Sequence, residues 1–189
     1  TLAGQHRNQY EEHHHEHGAF DLHFWLDPTR AAIAVGDIAA ALVAADPANA
    51  AAYQANAEGL LAELDALDTE LAATLEPVRE VPYIVFHDGY QYLEARYDLT
   101  GVGSVTLNPE IPIGAGRLSE LEAIVEERGA RCAFGEPQFA APVVETIADD
   151  TGIRFGTLDY LGATVEAGPD AYAAILRANA ASLVACLSQ

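Results

Sequence analysis

The 189-residue sequence contains no Met and no Lys, and it has only two Cys residues. Without Met there is no initiator residue, so we expect a processed chain or a piece of a longer one. The basic side chains are nine Arg, against 29 Asp and Glu, and the formal net charge is −20. Such an acidic surface repels phosphate backbones and attracts cations, so we expect no nucleic-acid partner.

Long apolar runs and catalytic motifs are also missing from the sequence. No apolar run approaches the roughly 20 residues that are needed to span a bilayer. There is no Gly-rich phosphate loop, no dinucleotide-binding fingerprint and no nucleophile elbow. The run EEHHHEH does not match HExxH, a motif of many catalytic zinc sites. These absences favour a binding protein over an enzyme.

The two cysteines, Cys132 and Cys186, are too far apart in sequence to form a CxxC metal motif. A disulfide and a pair of buried thiols are equally consistent with this spacing. The difference bears on location, because disulfides persist mainly in oxidising compartments.

The amino-terminal segment is rich in histidine and acidic residues. Its histidines are His6, His13, His14, His15 and His17. Clustered imidazoles on a polar segment without apolar periodicity are typical of weak, transient capture of Zn²⁺, Cu²⁺ or Ni²⁺. An expression tag is the alternative, although Glu16 interrupts the run. After this segment, Asp27 as N-cap and Pro28 at the first helical position predict a helix.

Residues 47–79 predict one long helix. Asp46 and Pro47 repeat the helix-start signal, and large apolar residues then recur at steps of three, four and seven up to Leu75. A helix of about 28 residues would be roughly 42 Å long, which is more than a small domain needs. This length suits a connection between two lobes.

Residues 80–189 predict an α/β lobe in which short strands alternate with helices. Strands are expected at 83–86, 101–107, 131–134 and 154–158, and helices at 90–97, 118–128, 141–151 and 170–187. This alternation is typical of a four-stranded parallel sheet flanked by helices.

Three polar side chains follow predicted strands of this lobe. His87 follows the first strand, Glu136 the third and Asp159 the fourth. Ligands of open α/β sheets bind beyond the carboxyl ends of strands. A structural hydrogen-bonding role suits each residue taken alone, but their shared edge favours a ligand site.

His23 lies in the segment DLHFWLDP, between the acidic segment and the first predicted helix. One interpretation is a half-buried histidine that is hydrogen-bonded to the backbone. The other is a metal ligand whose ring is held by the neighbouring apolar residues. In that case Asp21 or Asp88 is expected to accept a hydrogen bond from the ring N–H.

Several motifs together carry a family resemblance. They are DLHFWLDP, VFHDGYQYLEARYDL, NPEIPIGAGRLSEL, CAFGEPQF, GTLDYLG and the terminal ACLSQ. In this order, from about residue 12 to the end, the chain resembles the ZnuA-type zinc-binding proteins of bacterial ABC transporters. The resemblance implies half of a two-lobe substrate-binding protein. Residues 1–46 would be a His-rich loop and a remnant of the amino-terminal lobe, 47–79 the interlobe helix and 80–189 the carboxy-terminal lobe. The rest of the amino-terminal lobe, with a further ligand His, would precede residue 1.

The resemblance also implies a ligand set and a disulfide. His23 and His87 match zinc ligands, and Asp159 matches a position that supplies a carboxylate ligand in some relatives. Manganese-binding members usually have Glu at the position of His87, so the softer imidazole favours zinc. Cys132 and Cys186 match a disulfide of the zinc-binding members, which implies an oxidising compartment.

The function implied by the resemblance is capture of Zn²⁺ in the periplasm, without enzymatic activity. The expected partners are the zinc ion, an ABC permease in the inner membrane and the amino-terminal lobe. One alternative is a relative that binds Mn²⁺ or Fe²⁺, which prefer more oxygen ligands. Another is a zinc-dependent hydrolase, which would need an open coordination position and a general base.

Overall fold

The computed structural model describes residues 21–107, 114–139 and 142–188. In these ranges two long helices precede an α/β lobe. The elements are α1 (Pro28–Ala45), α2 (Ala50–Leu75), β1 (Tyr83–His87), α3 (Gln91–Tyr97), β2 (Gly101–Thr106), α4 (Ala115–Arg128), β3 (Cys132–Gly135), α5 (Pro142–Thr151), β4 (Arg154–Thr157) and α6 (Ala171–Leu187). Short 3₁₀ turns lie at Phe24–Leu26, Pro47–Asn49 and Glu76–Val78.

The four strands form a parallel sheet in the order β2-β1-β3-β4, so the predicted fold class is confirmed. Strand β1 is internal and pairs with β2 on one side and β3 on the other. Val85 lies opposite Phe134 in the β1–β3 ladder. The carboxyl ends of β1 and β3 are therefore neighbours.

The side chains of β1 alternate between two apolar layers. Tyr83 and Val85 pack with α2, α3 and α6, whereas Ile84 and Phe86 pack with α4 and α5. All four are buried. Because alternate residues of a strand face the same side, His87 belongs to the layer of Tyr83 and Val85.

A disulfide joins Cys132 of β3 to Cys186 of α6. Both residues are buried in the layer that contains Tyr83. The predicted disulfide is confirmed, and it fastens the last helix to an internal strand of the sheet.

Helix α1 begins as predicted, because the Asp27 side chain accepts a hydrogen bond from the backbone N–H of Thr29 at 2.8 Å. The next helix begins differently. Pro47–Asn49 forms a 3₁₀ turn, and regular α-helix starts at Ala50. In this turn Asp46 accepts hydrogen bonds from the Asn49 amide and the Tyr53 hydroxyl.

Large apolar side chains on α1 and the first half of α2 are exposed, and we refer to this set of residues collectively as the apolar face. It comprises Ile33, Ile38, Leu42, Leu60 and Leu61, between 36% and 59% exposed. The second half of α2 instead buries Leu64, Leu67, Leu71 and Leu75 against the α/β lobe.

Helix α1 also corrects the expectation that no segment approaches the length of a membrane span. Its 18 residues are long and apolar enough to cross a bilayer by length and composition. Alanine-rich stretches keep the helix apolar although Arg30 and Asp37 interrupt it. Length and composition alone are weak evidence for a span.

Candidate metal centre

His23 and His87 meet beyond the carboxyl end of β1. Their Nε2 atoms lie 3.3 Å apart, and their ring centroids are 5.0 Å apart. With Zn–N bonds of about 2.0–2.1 Å and tetrahedral angles, two imidazole nitrogens on one zinc ion lie about 3.3–3.4 Å apart. The observed separation fits two ligands of one tetrahedral ion.

The ring of His87 is held by Glu136. The Nδ1 atom of His87 lies 2.5 Å from Oε1 of Glu136, and the two side chains are 5% and 0% exposed. Glu136 directly follows β3, and the β1–β3 register places it beside His87. A carboxylate can only accept, so of the two neutral tautomers it favours the one that carries hydrogen on Nδ1 and a lone pair on Nε2.

The ring of His23 is held in the same manner by Asp21. Oδ1 of Asp21 lies 2.7 Å from Nδ1 of His23 and also accepts a hydrogen bond from its backbone N–H at 2.9 Å. The sequence suggested Asp21 or Asp88 as the acceptor for the ring N–H of His23, and the structure shows that it is Asp21. The other, Asp88, accepts a hydrogen bond from Gln91 instead.

The segment that carries His23 is fastened to the α/β lobe by hydrogen bonds from aromatic side chains. The indole N–H of Trp25 donates to the backbone carbonyl of Tyr160 at 2.9 Å. The hydroxyl of Tyr172 donates to the carbonyl of Trp25 at 2.7 Å, and that of Tyr92 to the carbonyl of Asp21 at 3.0 Å. His23 is therefore brought to His87 by contacts within the chain.

Aromatic rings surround the two imidazoles. The Tyr160 ring lies edge-on to both, with centroid distances of 4.8 Å to His87 and 5.4 Å to His23. Burial, followed by the nearby charges of Glu136 and Asp159, raises the pKa of Tyr160. Burial and Glu136 also raise the pKa of Tyr90. Both hydroxyls are therefore neutral at physiological pH, so the two rings act as walls of the site rather than as anionic ligands.

Asp159 organises the loop that follows β4. Its Oδ1 accepts hydrogen bonds from Gln138 and from the backbone N–H of Gly162, and its Oδ2 accepts from the backbone and hydroxyl of Thr164. Burial acts to raise the pKa of Asp159, but these hydrogen bonds outweigh it and the pKa is lowered. Metal coordination by Asp159 stays a prediction, and it would compete with these bonds.

The structure brings some of the sequence-predicted site residues together. His23 and His87 are adjacent. In residues 21–107, 114–139 and 142–188, no three His, Cys, Asp or Glu side chains converge as a metal site, so Asp159 does not join the histidine pair in such a group. The histidines of the amino-terminal segment, His6, His13, His14, His15 and His17, lie outside the described residues.

Sequence reasoning placed Glu136 at the sheet edge but missed it as the partner of His87. The signal was present in part, because both residues follow predicted strands. Recognising the pair required knowing that β1 and β3 are neighbours in the sheet.

The family model for the periplasmic component A of the zinc-uptake complex, ZnuA, matches residues 1–186. The chain belongs to the ZnuA family. This is a family of substrate-binding transport proteins, not a family of enzymes. ZnuA-type proteins work in the periplasm as part of a transport system.

Curated ZnuA relatives share much of this sequence. The high-affinity zinc uptake system protein ZnuA of Brucella suis is 46% identical over 172 residues, which are 91% of this chain and 52% of the relative. The ZnuA of Yersinia pestis is 36% identical over 183 residues, covering 95% of this chain and 56% of the relative. The chain spans about half the length of the curated relatives it matches.

Solved structures agree with this assignment. A crystal structure of ZnuA superposes with a TM-score of 0.78 at 31% identity, covering 89% of this chain and 61% of that one. A ZnuA deletion mutant with zinc bound gives a TM-score of 0.76 at 31% identity, covering 90% and 62%. The laminin-binding protein Lmb of Streptococcus agalactiae, described as an adhesin with metal-transporting activity, gives 0.77 at 28% identity, covering 89% and 65%.

Proposed function

We propose that the chain is the carboxy-terminal part of a periplasmic protein that captures Zn²⁺ and delivers it to an ABC permease. The observation that carries this proposal is the 3.3 Å separation of the Nε2 atoms of His23 and His87. Each Nδ1 atom faces a carboxylate, so each Nε2 atom presents a lone pair. Two lone pairs at this distance repel each other, and either a shared proton or a metal ion bound between them relieves the repulsion.

The donors favour zinc over manganese. Two neutral imidazoles are borderline donors that suit Zn²⁺, whereas Mn²⁺ prefers sites rich in carboxylate and water oxygens. Tetrahedral zinc needs two further ligands. We propose that an amino-terminal lobe and water supply them, with Asp159 as the alternative carboxylate.

The apolar face supports the proposal of a second lobe. Ile38 and Leu42 on α1, together with Leu60 on α2, are each more than 40% exposed among the described residues. The relatives are about twice as long as the matched region. We propose that residues 1–46 include a remnant of the amino-terminal lobe, that 47–79 are the interlobe connection, and that 80–189 are the carboxy-terminal lobe.

The histidines of residues 6–17 have a separate role in this proposal. They supply weak, exchangeable sites that raise the local concentration of Zn²⁺ around the protein. The net charge of −20 over the whole chain also attracts cations.

Titration of the purified chain with Zn²⁺ tests the proposal, with a chromophoric chelator as competitor. We expect one site tighter than the rest at pH 7.5, with little displacement by excess Mn²⁺. Protons compete with the metal for the imidazole nitrogens, so affinity should be lower at pH 5.5 than at pH 7.5. Absence of a tight site, preference for Mn²⁺, or affinity that does not change with pH would contradict it.

A further inference from the structure

We propose that Glu136 is a positioning residue that fixes the tautomer and direction of the His87 ring that metal capture requires. This inference rests on the proposed function of His87 as a zinc ligand. Glu136 itself does not touch the ion. Its carboxylate holds hydrogen on Nδ1 and leaves the Nε2 lone pair directed at His23.

The first argument is geometric. The contact between Nδ1 and Oε1 is 2.5 Å, shorter than the roughly 2.7–2.9 Å usual for a charge-assisted N–H···O hydrogen bond, so the two groups are in direct contact. Both residues directly end or follow neighbouring internal strands, β1 and β3. Because the two strands are paired side by side, the sheet itself brings the Glu136 carboxylate to the His87 ring.

The second argument is that burying the Glu136 carboxylate is unfavourable for the stability of the fold. The Glu136 side chain is 0% exposed, and its Oε2 atom makes no hydrogen bond of ordinary geometry among the described residues, although the Tyr90 hydroxyl lies close enough to the carboxylate for it to raise the pKa of Tyr90. A buried carboxylate with so few partners is destabilising by itself. A divalent cation on the far side of the His87 ring would offset this charge through the imidazole, so the arrangement suits a loaded site better than a purely structural one.

Asp21 offers a contrast within the same site. It also faces a ring Nδ1, but its side chain is 11% exposed and it additionally caps the backbone N–H of His23. Loss of Asp21 would disturb the local turn as well as the ring. Glu136 therefore gives the cleaner test of ring positioning.

The experiment uses the 189-residue chain and its Glu136→Ala and Glu136→Gln variants. Zn²⁺ affinity is measured by chelator competition, and the imidazole tautomer of metal-free His87 by long-range ¹H–¹⁵N NMR. We expect hydrogen on Nδ1 in the parent chain. In Glu136→Ala we expect a mixture of tautomers and an affinity about 10–100-fold weaker. Glu136→Gln retains an acceptor of the same size, so it should lose less zinc affinity than Glu136→Ala.

The control is Asp68→Asn, which removes a carboxylate paired with Arg96 outside the site. It should alter stability but neither the His87 tautomer nor zinc affinity. If Glu136→Ala does not fold, the zinc affinity of Glu136→Gln and the NMR spectrum of the parent chain test the positioning role instead. Hydrogen on Nε2 in the parent chain, or unchanged affinity in a folded Glu136 variant, would overturn the positioning role while zinc binding by the parent stands. A parent chain that binds no zinc would overturn both proposals.

Discussion

The Nε2 atoms of His23 and His87 lie 3.3 Å apart, and each ring is held on its other nitrogen by a carboxylate. The two rings are thus held so that their Nε2 atoms face each other. Such preorganisation lowers the conformational cost of binding. It follows that much of the proposed site is assembled within this chain.

Replacing either His23 or His87 by Ala should weaken Zn²⁺ binding at least tenfold. A tenfold change corresponds to only about 1.4 kcal/mol, less than we expect from a lost coordinate bond. Competition with a zinc chelator measures the effect. Tyr53→Phe, which removes an outlying hydrogen bond to Asp46, is the control and should bind as the parent does. Unchanged affinity in His87→Ala would refute the ligand assignment.

Deleting residues 6–17 should remove weak zinc equivalents and leave the tight site. The deleted histidines belong to a polar segment without apolar periodicity, which does not predict one fixed geometry. Stoichiometry from equilibrium dialysis, at low and high Zn²⁺, separates the two classes. If the tight site is lost when residues 6–17 are deleted, then histidines of this segment coordinate the tightly bound zinc directly.

Substituting Ile38 by Glu should weaken association with an amino-terminal lobe while leaving the fold intact. Ile38 is 59% exposed, so a charge there costs little in the isolated chain, generally within about 0.5 kcal/mol. Burying that charge against a second lobe would be costly. Sedimentation titration with the amino-terminal lobe of the Brucella suis relative measures the association for the parent chain and the Ile38→Glu variant.

The matched control for the apolar face is Phe155→Glu. Phe155 is 44% exposed on β4, outside that face. Its replacement should leave lobe association unchanged. Equal binding by the Ile38 and Phe155 variants would show that the apolar face is not the docking surface.

Reducing the Cys132–Cys186 disulfide should lower the free energy of unfolding by about 4 kcal/mol, from the chain-entropy relation for a separation of 54 residues. The cross-link restricts the unfolded chain more than the folded one. Urea denaturation with and without a reductant gives the difference. A variant with both cysteines replaced by Ser should not respond to the reductant, and a reductant effect there would point to another cause.

Acid should destabilise the chain partly through Asp68. A hydrogen bond from Arg96 lowers the pKa of Asp68 below its usual 3.8, against the opposing effect of burial. The unfolded chain then binds more protons in the acid range. The stabilisation that Asp68 provides is complete above its pKa in the unfolded chain. It is lost as the pH falls through its pKa in the folded chain.

Asp68→Asn should therefore lose less unfolding free energy between pH 5 and pH 3 than the parent chain does. Urea denaturation of the metal-free proteins at both pH values checks this. Asp65→Asn, an exposed neighbour on α2, should show the parental pH dependence. An unchanged pH dependence in Asp68→Asn would exclude the ion pair as a source of acid sensitivity.

Local signals in the sequence determined the elements of this fold. Period and length predicted four strands and the helices around them, and each observed boundary in the α/β lobe lies within three residues of its expected place. The Asp27 cap is equally local, because a side chain bonds to a backbone group two residues away. These features follow from interactions between near neighbours in the chain.

The pairing of distant residues was decided by tertiary structure alone. Glu136 holds His87 because β3 lies beside β1, and strand order depends on how whole layers pack. His23 reaches His87 because Trp25 and Tyr172 fasten its segment to the lobe. The family resemblance placed His23 and His87 in one site, but no period in the sequence predicts the hydrogen bonds that hold them there, since these join residues that only the packed core brings within bonding distance.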